Sequence, residues 1–110
     1  MKTKTVKNLT GSALDWAVAK CEGECRYPPG QFSNEGLYSP SIDWAQGGPI
    51  IERERIGLVW FEPKKDWHAY YWQDNGLCPG GVGPTPLIAA MRCYVASKLG
   101  YEIDIPKDLL

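Results

Sequence analysis

The chain holds a single histidine, His68, and no ligands at metal spacing around it. Its four cysteines are Cys21, Cys25, Cys78 and Cys93. Cys21-x3-Cys25 would serve as one zinc half-site, but Cys78 and Cys93 lie too far apart to make the second close pair that closed zinc sites use. No metal and no other cofactor is therefore expected. Catalytic motifs are missing too. There is no G-x-S-x-G elbow for a serine nucleophile. Gly80-Gly81-Val82-Gly83 lacks the Lys-Ser/Thr of a phosphate loop, and no dinucleotide fingerprint occurs. Asp15, Asp43, Asp66 and Glu62 form no readable carboxylate pair. A histidine on a strand is more often half-buried filler than a base, so the expectation is a protein that is not an enzyme. No apolar run approaches the ~20 residues of a membrane span. The basic start, Met1-Lys2-Thr3-Lys4-Thr5, has no apolar segment behind it, which argues against a signal peptide and for reduced thiols. Neither charge sign dominates: 12 basic residues face 13 acidic ones, for a net charge of −1. Duplex nucleic acid is therefore not an expected partner.

Aromatic residues are abundant instead, with five Trp, six Tyr and two Phe in 110 residues. A domain of this size has limited room for five indoles, so part of Trp16, Trp44, Trp67 and Trp72 is expected at a partner or ligand surface. Residues 1–110 are read as a single domain, since 44% hydrophobic content supports a packed core.

Periodicity gives the elements. Leu14, Ala17, Val18 and Cys21 share a stripe that predicts a helix over 12–22, capped by Thr10 or Ser12 and ended by Gly23. Short strand pieces are expected near Cys25–Tyr27 and Gly36–Tyr38. Ser41 is read as the cap of a second helical segment, either bent over 42–55 or short over 49–55, with Gly57 as its stop. The run Glu52-Arg53-Glu54-Arg55 reads as a solvated face. Leu58–Phe61 is apolar at every position and is expected to be a strand covered on both sides. A proline turn then leads to a return strand over 67–73. Gly80–Pro84 reads as a glycine-rich loop, and Thr85-Pro86 as the start of the last helix, ended by Gly100. Its apolar stripe is Leu87, Ile88, Met91, Val95 and Leu99. Ala89, Cys93 and Ala96 form a second strip, small enough for close approach of another layer. Tyr101, Ile103 and Ile105 alternate as a docking strand would. The resulting fold class is α+β: three helical segments packed around a small, mainly antiparallel sheet.

Three blocks carry a family resemblance. Leu9-Thr10-Gly11 with Ala13-Leu14-Asp15-Trp16-Ala17-Val18-Ala19-Lys20 resembles the start of the NinX family of small bacteriophage proteins. Tyr38-Ser39-Pro40-Ser41, followed by Asp43-Trp44-Ala45-Gln46-Gly47-Gly48-Pro49-Ile50-Ile51-Glu52, resembles its middle. Gly83-Pro84-Thr85-Pro86-Leu87-Ile88-Ala89-Ala90-Met91-Arg92-Cys93 resembles its last helix. The wider pattern is similar to the phage domain described as an α-β-α sandwich. The resemblance implies a phage gene product working in the host bacterial cytoplasm. It brings no catalytic residues and no reaction with it.

The functional expectation is a non-enzymatic accessory protein that binds a host protein or a small anionic ligand, as in counter-defence. A nucleotide sequestrant and a small enzyme remain as alternatives, and a homo-oligomer stays open. Two capped helix starts near glycines, at Ser41 and Thr85, could offer N–H groups to an anion, though plain capping explains them as well. The candidate site gathers Tyr38, Ser39, Ser41, Trp44, Gly81, Thr85 and Arg92. For Arg92, pairing with Asp15 or Asp43 is the alternative to holding a ligand.

Overall fold

Helix α3 (Pro86–Leu99) is the hub of the molecule: Leu87 and every residue from Ala89 to Ala96 are buried. A helix buried this fully must be mostly apolar or small, and this one is, with Arg92 as the buried exception. Thr85 caps it, its Oγ1 accepting from the Ile88 N–H at 3.1 Å, and Pro86 takes the first position, where no N–H is missed. Gly100, at φ 89°, ends it. The computed structural model describes residues 2–23, 32–33, 36–37, 39–73 and 76–105.

Two helices pack on α3. Helix α1 (Gly11–Cys21) presents Leu14, Ala17 and Val18 to it. Ser12 lies inside the first turn, and Thr10 occupies the cap position without a side-chain cap bond. Gly23 leaves the helix at φ 79°, a conformation open to glycine at little cost. Trp16 is half-buried, with the Lys20 ammonium 5.3 Å from its ring centroid. Helix α2 (Trp44–Glu54) is capped by Asp43 and not by Ser41: Asp43 Oδ1 accepts from the Ala45 N–H at 2.9 Å. The helix follows the longer of the two expected extents, 42–55, to within two residues and not the short one over 49–55, so Pro49 sits within it. The N–H that Pro49 lacks would have bonded the carbonyl of Ala45, and Ala45 is exposed, so the loss falls on the solvent side of the helix. Arg55, at φ 55°, stops the helix before Gly57 is reached.

The other side of α3 carries the main sheet. Strands β4 (Gly57–Phe61), β5 (Asp66–Gln73) and β6 (Gly76–Gly83) lie antiparallel in that order. The expected pairing of residues 58–61 with the return strand is present, Val59 facing His68 and Trp60 facing Trp67. The glycine-rich segment is a strand and not a loop. A Cβ at Gly81 would stand 2.7 Å from the Cys93 nitrogen, and one at Gly83 2.9 Å from the Ala89 nitrogen. Glycine on β6 and small residues on α3 together allow the two backbones to close.

Two ribbons complete the fold. Strand β1 (Lys2–Thr5) pairs antiparallel with β7 (Glu102–Ile105), which buries Ile103 and Ile105 as the alternation predicts. Strands β2 (Phe32–Ser33) and β3 (Gly36–Leu37) form a short hairpin, while residues 25–27 lie outside the described residues. A 3-10 turn at Val6–Asn8 follows β1 and buries Val6. The whole is an α+β domain of three helices and small antiparallel sheets.

One expectation about the sheet fails. Strand β4 is covered on one side only, with Val59 52% and Phe61 39% exposed. Leu58, Trp67, Ala69 and Tyr71 face the core, and no helix lies over the opposite face among the described residues.

Candidate functional site

Three of the sequence-derived candidates meet in one groove. The turn Ser39–Asp43 delivers Ser41, the first residue of α2 delivers Trp44, and the start of α3 delivers Thr85. Ile42, Pro86 and Leu87 complete a cavity of about 200 Å³. The turn is held firmly. The Ser39 N–H donates to Gln46 Oε1 at 2.8 Å, and the Ser39 carbonyl accepts from the N–H groups of Ile42 and Asp43. The Ser41 N–H donates to Asp15 Oδ1 at 2.9 Å, and the Ser41 hydroxyl is buried without a hydrogen-bond partner. Burial raises the Asp15 carboxyl above its ordinary value, opposed by the bond from the Ser41 N–H. Gly47 lets α2 lie against this turn and against α3, since a Cβ there would run into the Pro40 carbonyl oxygen and stand 2.7 Å from Leu87 Cδ2. Trp44 is 55% exposed beside the groove.

The other candidates are elsewhere. Arg92 is buried and spans two backbone acceptors: Nε donates to the Leu9 carbonyl at 2.9 Å and Nη1 to the Val82 carbonyl at 2.6 Å. The expected pairing with Asp15 or Asp43 is therefore replaced by a tie between the approach to α1, α3 and β6. Gly81 belongs to the contact between β6 and α3. Ser39 is buried under the turn, and Tyr38 lies outside the described residues.

The chemistry of the groove is mostly apolar. The helix start at Thr85 has little to offer an anion, because Pro86 has no N–H and that of Ile88 is spent on the cap. At the start of α2 the Asp43 carboxylate occupies the position an anion would take, bonding the Ala45 N–H and the Gln46 side chain. No lysine or arginine lines the cavity.

A second surface was not read from the sequence as a site. On the outer face of the sheet, cross-strand pairing places Val59 beside His68 and His68 beside Val82, in one row across three strands. Phe61 lies next to them, its ring 4.9 Å from the imidazole of His68. Val82 is 39% exposed. His68 Nε2 is 2.9 Å from Asp66 Oδ1, so the lone histidine is oriented by a carboxylate at the edge of an apolar row. Next to that row, Tyr70, Val82, Lys7 and Tyr101 border a cleft of about 350 Å³. The apolar run Leu58–Phe61 was the available signal. Apolar residues at every position of that run predict two covered faces, whereas one face is covered and the other is open.

The charged run 52–55 is also more than a solvated face. Arg53 makes two bonds to Glu22, at 2.9 and 2.7 Å, and one to Glu54 at 2.8 Å. Its guanidinium also reaches the Tyr94 hydroxyl, which donates to Glu22. Lys98 closes on Glu54 at 3.2 Å. These bonds hold the Glu22 and Glu54 carboxyls below their ordinary range, chiefly through Arg53, while burial foremost raises the Tyr94 phenol. The cluster joins the ends of all three helices. The Cys93 thiol, buried against β6, is pushed up to about 12, which makes it a poor nucleophile.

Among the described residues, no group of three or more His, Cys, Asp or Glu side chains could hold a metal ion. Nor is any described helix long and apolar enough to cross a membrane. A comparison with protein families matches residues 5–98 to the family described as bacteriophage P22, NinX. The chain belongs to this family. Comparison with the curated proteins finds no match. The NinX match runs from β1 through the end of α3, so it takes in the groove, the open sheet face and the Arg53 cluster together. As a NinX protein the chain is a phage protein, and the family description names no ligand or partner.

Proposed function

We propose that this NinX protein is a non-enzymatic accessory protein that works in the cytoplasm of the infected bacterium by binding a host protein, as a counter-defence factor would. The observation that carries this reading is the open face of the main sheet. Val59, Phe61 and Val82 are exposed on one face of the sheet, with His68 between Val59 and Val82 and Tyr70 in the next row. Exposed apolar groups in a contiguous row mark interaction surfaces more often than groups scattered singly. Aromatic residues in such a row supply most of the binding energy. The lack of a nucleophile motif supports a binding role over a catalytic one.

A second reading puts a small ligand, such as a nucleotide, in the groove beside Trp44. The buried Ser41 hydroxyl and the exposed indole favour it. The absence of a cation from the cavity lining weighs against an anionic ligand there.

The two readings separate by site-specific photo-cross-linking in infected cells. A cross-linking residue at Phe61 is expected to give a discrete adduct with a host protein, and one at exposed Glu52 to give none. An adduct from Trp44 alone, or a thermal shift with nucleotides that Trp44→Ala removes, would replace the first reading with the second.

A further inference from the structure

We propose that the free edge of β4 pairs with β4 of a second copy of this chain, antiparallel across a twofold axis, giving one continuous six-stranded sheet. This goes beyond host-protein binding through the outer face, because it concerns the backbone edge of the strand.

The first observation is the edge itself. Among the described strands only β5 pairs with β4, so its other side presents unpaired N–H and C=O groups. Proteins usually blunt such an edge with lysine, proline or a bulge. Gly57–Phe61 contains no charge and no proline, and the bulge in this sheet lies on the far side, between β5 and β6. On β6, the other outer strand of this sheet, Pro79 interrupts the row of donors and Arg92 takes the Val82 carbonyl. A row of unpaired backbone groups is recognised by another extended strand, and by little else.

The second observation is that β4 complements itself. A twofold axis perpendicular to the sheet keeps each face on its own side. The register that pairs all five residues is centred on Val59. It puts Val59 opposite the second copy's Val59, and Gly57 opposite the second copy's Phe61. An aromatic ring over a cross-strand glycine is a favourable pair, because the ring covers backbone that glycine leaves bare. On the inner face, half-buried Leu58 meets the second copy's Trp60. Trp60 is 43% exposed in one copy, and its indole N–H is already satisfied by Glu62 at 2.5 Å, so covering the ring strands no donor.

The third observation is charge. Just beyond the five paired residues, each end of the seam brings Glu62 of one copy toward Arg55 of the other. Both Glu62 and Arg55 are exposed, and their charges are opposite. A β-branched self-pair in the middle with an attractive pair at each end fits a second copy better than an arbitrary strand.

Sedimentation of the purified chain at up to about 100 µM is the test, since an interface of one strand pair is small and a micromolar dissociation constant is expected. The expected result is twice the monomer mass at the upper concentrations. Val59→Lys and Val59→Glu, each confirmed as folded by circular dichroism, should each sediment as monomers, because like charges would meet at the axis. An equimolar mixture of the two should recover the dimer. Val82→Lys, on the opposite edge strand, should leave it intact. Should either charged variant fail to fold, Val59→Cys decides instead: residue 59 facing itself should give a covalent dimer on mild oxidation, and Glu52→Cys should not. A wild-type chain that stays monomeric throughout, folded charged variants that still dimerise, or a Val59→Cys chain that forms no covalent dimer would overturn the proposal.

Discussion

Arg92 illustrates how one side chain can be mistaken for a binding group. It sits among apolar residues of α3, where an unpaired cation would be costly, yet it is buried. Two carbonyls from distant parts of the chain account for this, as the guanidinium donates to both. Removing it would take a donor from two acceptors at once. Arg92→Ala is expected to cost about 2–5 kcal/mol, read as a fall in the urea midpoint. Arg92→Lys should recover only part of this, since one ammonium on a flexible stem does not reproduce two donors held in a plane. A midpoint unchanged in Arg92→Ala would mean that neither bond matters to stability.

Elements are where neighbouring residues of the same type part company. Gly47 and Gly48 are both inside α2, but Gly47 lies against the Pro40 turn and Leu87, whereas a Cβ at Gly48 would only touch the Trp44 ring at 3.9 Å. Gly47→Ala should therefore destabilise by about 1–3 kcal/mol through overpacking. Gly48→Ala should stabilise by about 0.5–1 kcal/mol through helix propensity. Thermal unfolding of the two variants checks both signs, and shifts in the same direction would contradict the packing described. The same contrast explains what could be read from the sequence. Helix α3 was legible, because Thr85-Pro86 and Gly100 are local signals for a start and a stop. So was the pairing of β4 with β5, from two apolar runs about a proline turn. Strand β6 was not, because its glycines answer to the surface of α3 and carry no strand propensity of their own. The groove was legible as far as Ser41, Trp44 and Thr85, which sit at element starts. The outer face was missed because a continuous apolar run does not say which side is left open.

At the scale of the whole molecule, the cluster of Glu22, Arg53, Glu54, Tyr94 and Lys98 ties three helices by charge. Glu22 and Glu54 titrate below their ordinary values because of Arg53. Such carboxyls add stability above their unfolded pKa, and lose it as the pH falls through the lower folded value. Asp15 acts in the opposite sense: burial raises it, so its charged form costs stability near neutrality and the cost disappears on protonation. Acid sensitivity should therefore come from the cluster. Glu22→Gln is expected to lower the urea midpoint at about pH 7 and to shrink the further loss on going to about pH 3. Parallel losses in the wild type and the variant would show that the cluster does not set the acid limit.

The position of α3 in the chain has a consequence for synthesis. Helix α1 and the main sheet both need α3 to cover their apolar faces, and α3 is among the last elements to be made. At roughly 5–20 residues per second, the stripe of Leu14, Ala17 and Val18 waits several seconds on the ribosome before its partner exists. Through that interval the nascent chain has local turns and hairpins but no place to bury them. On this topology the core cannot close before α3 leaves the exit tunnel, and until then the apolar surfaces of α1 and of the sheet are open to whatever holds nascent chains.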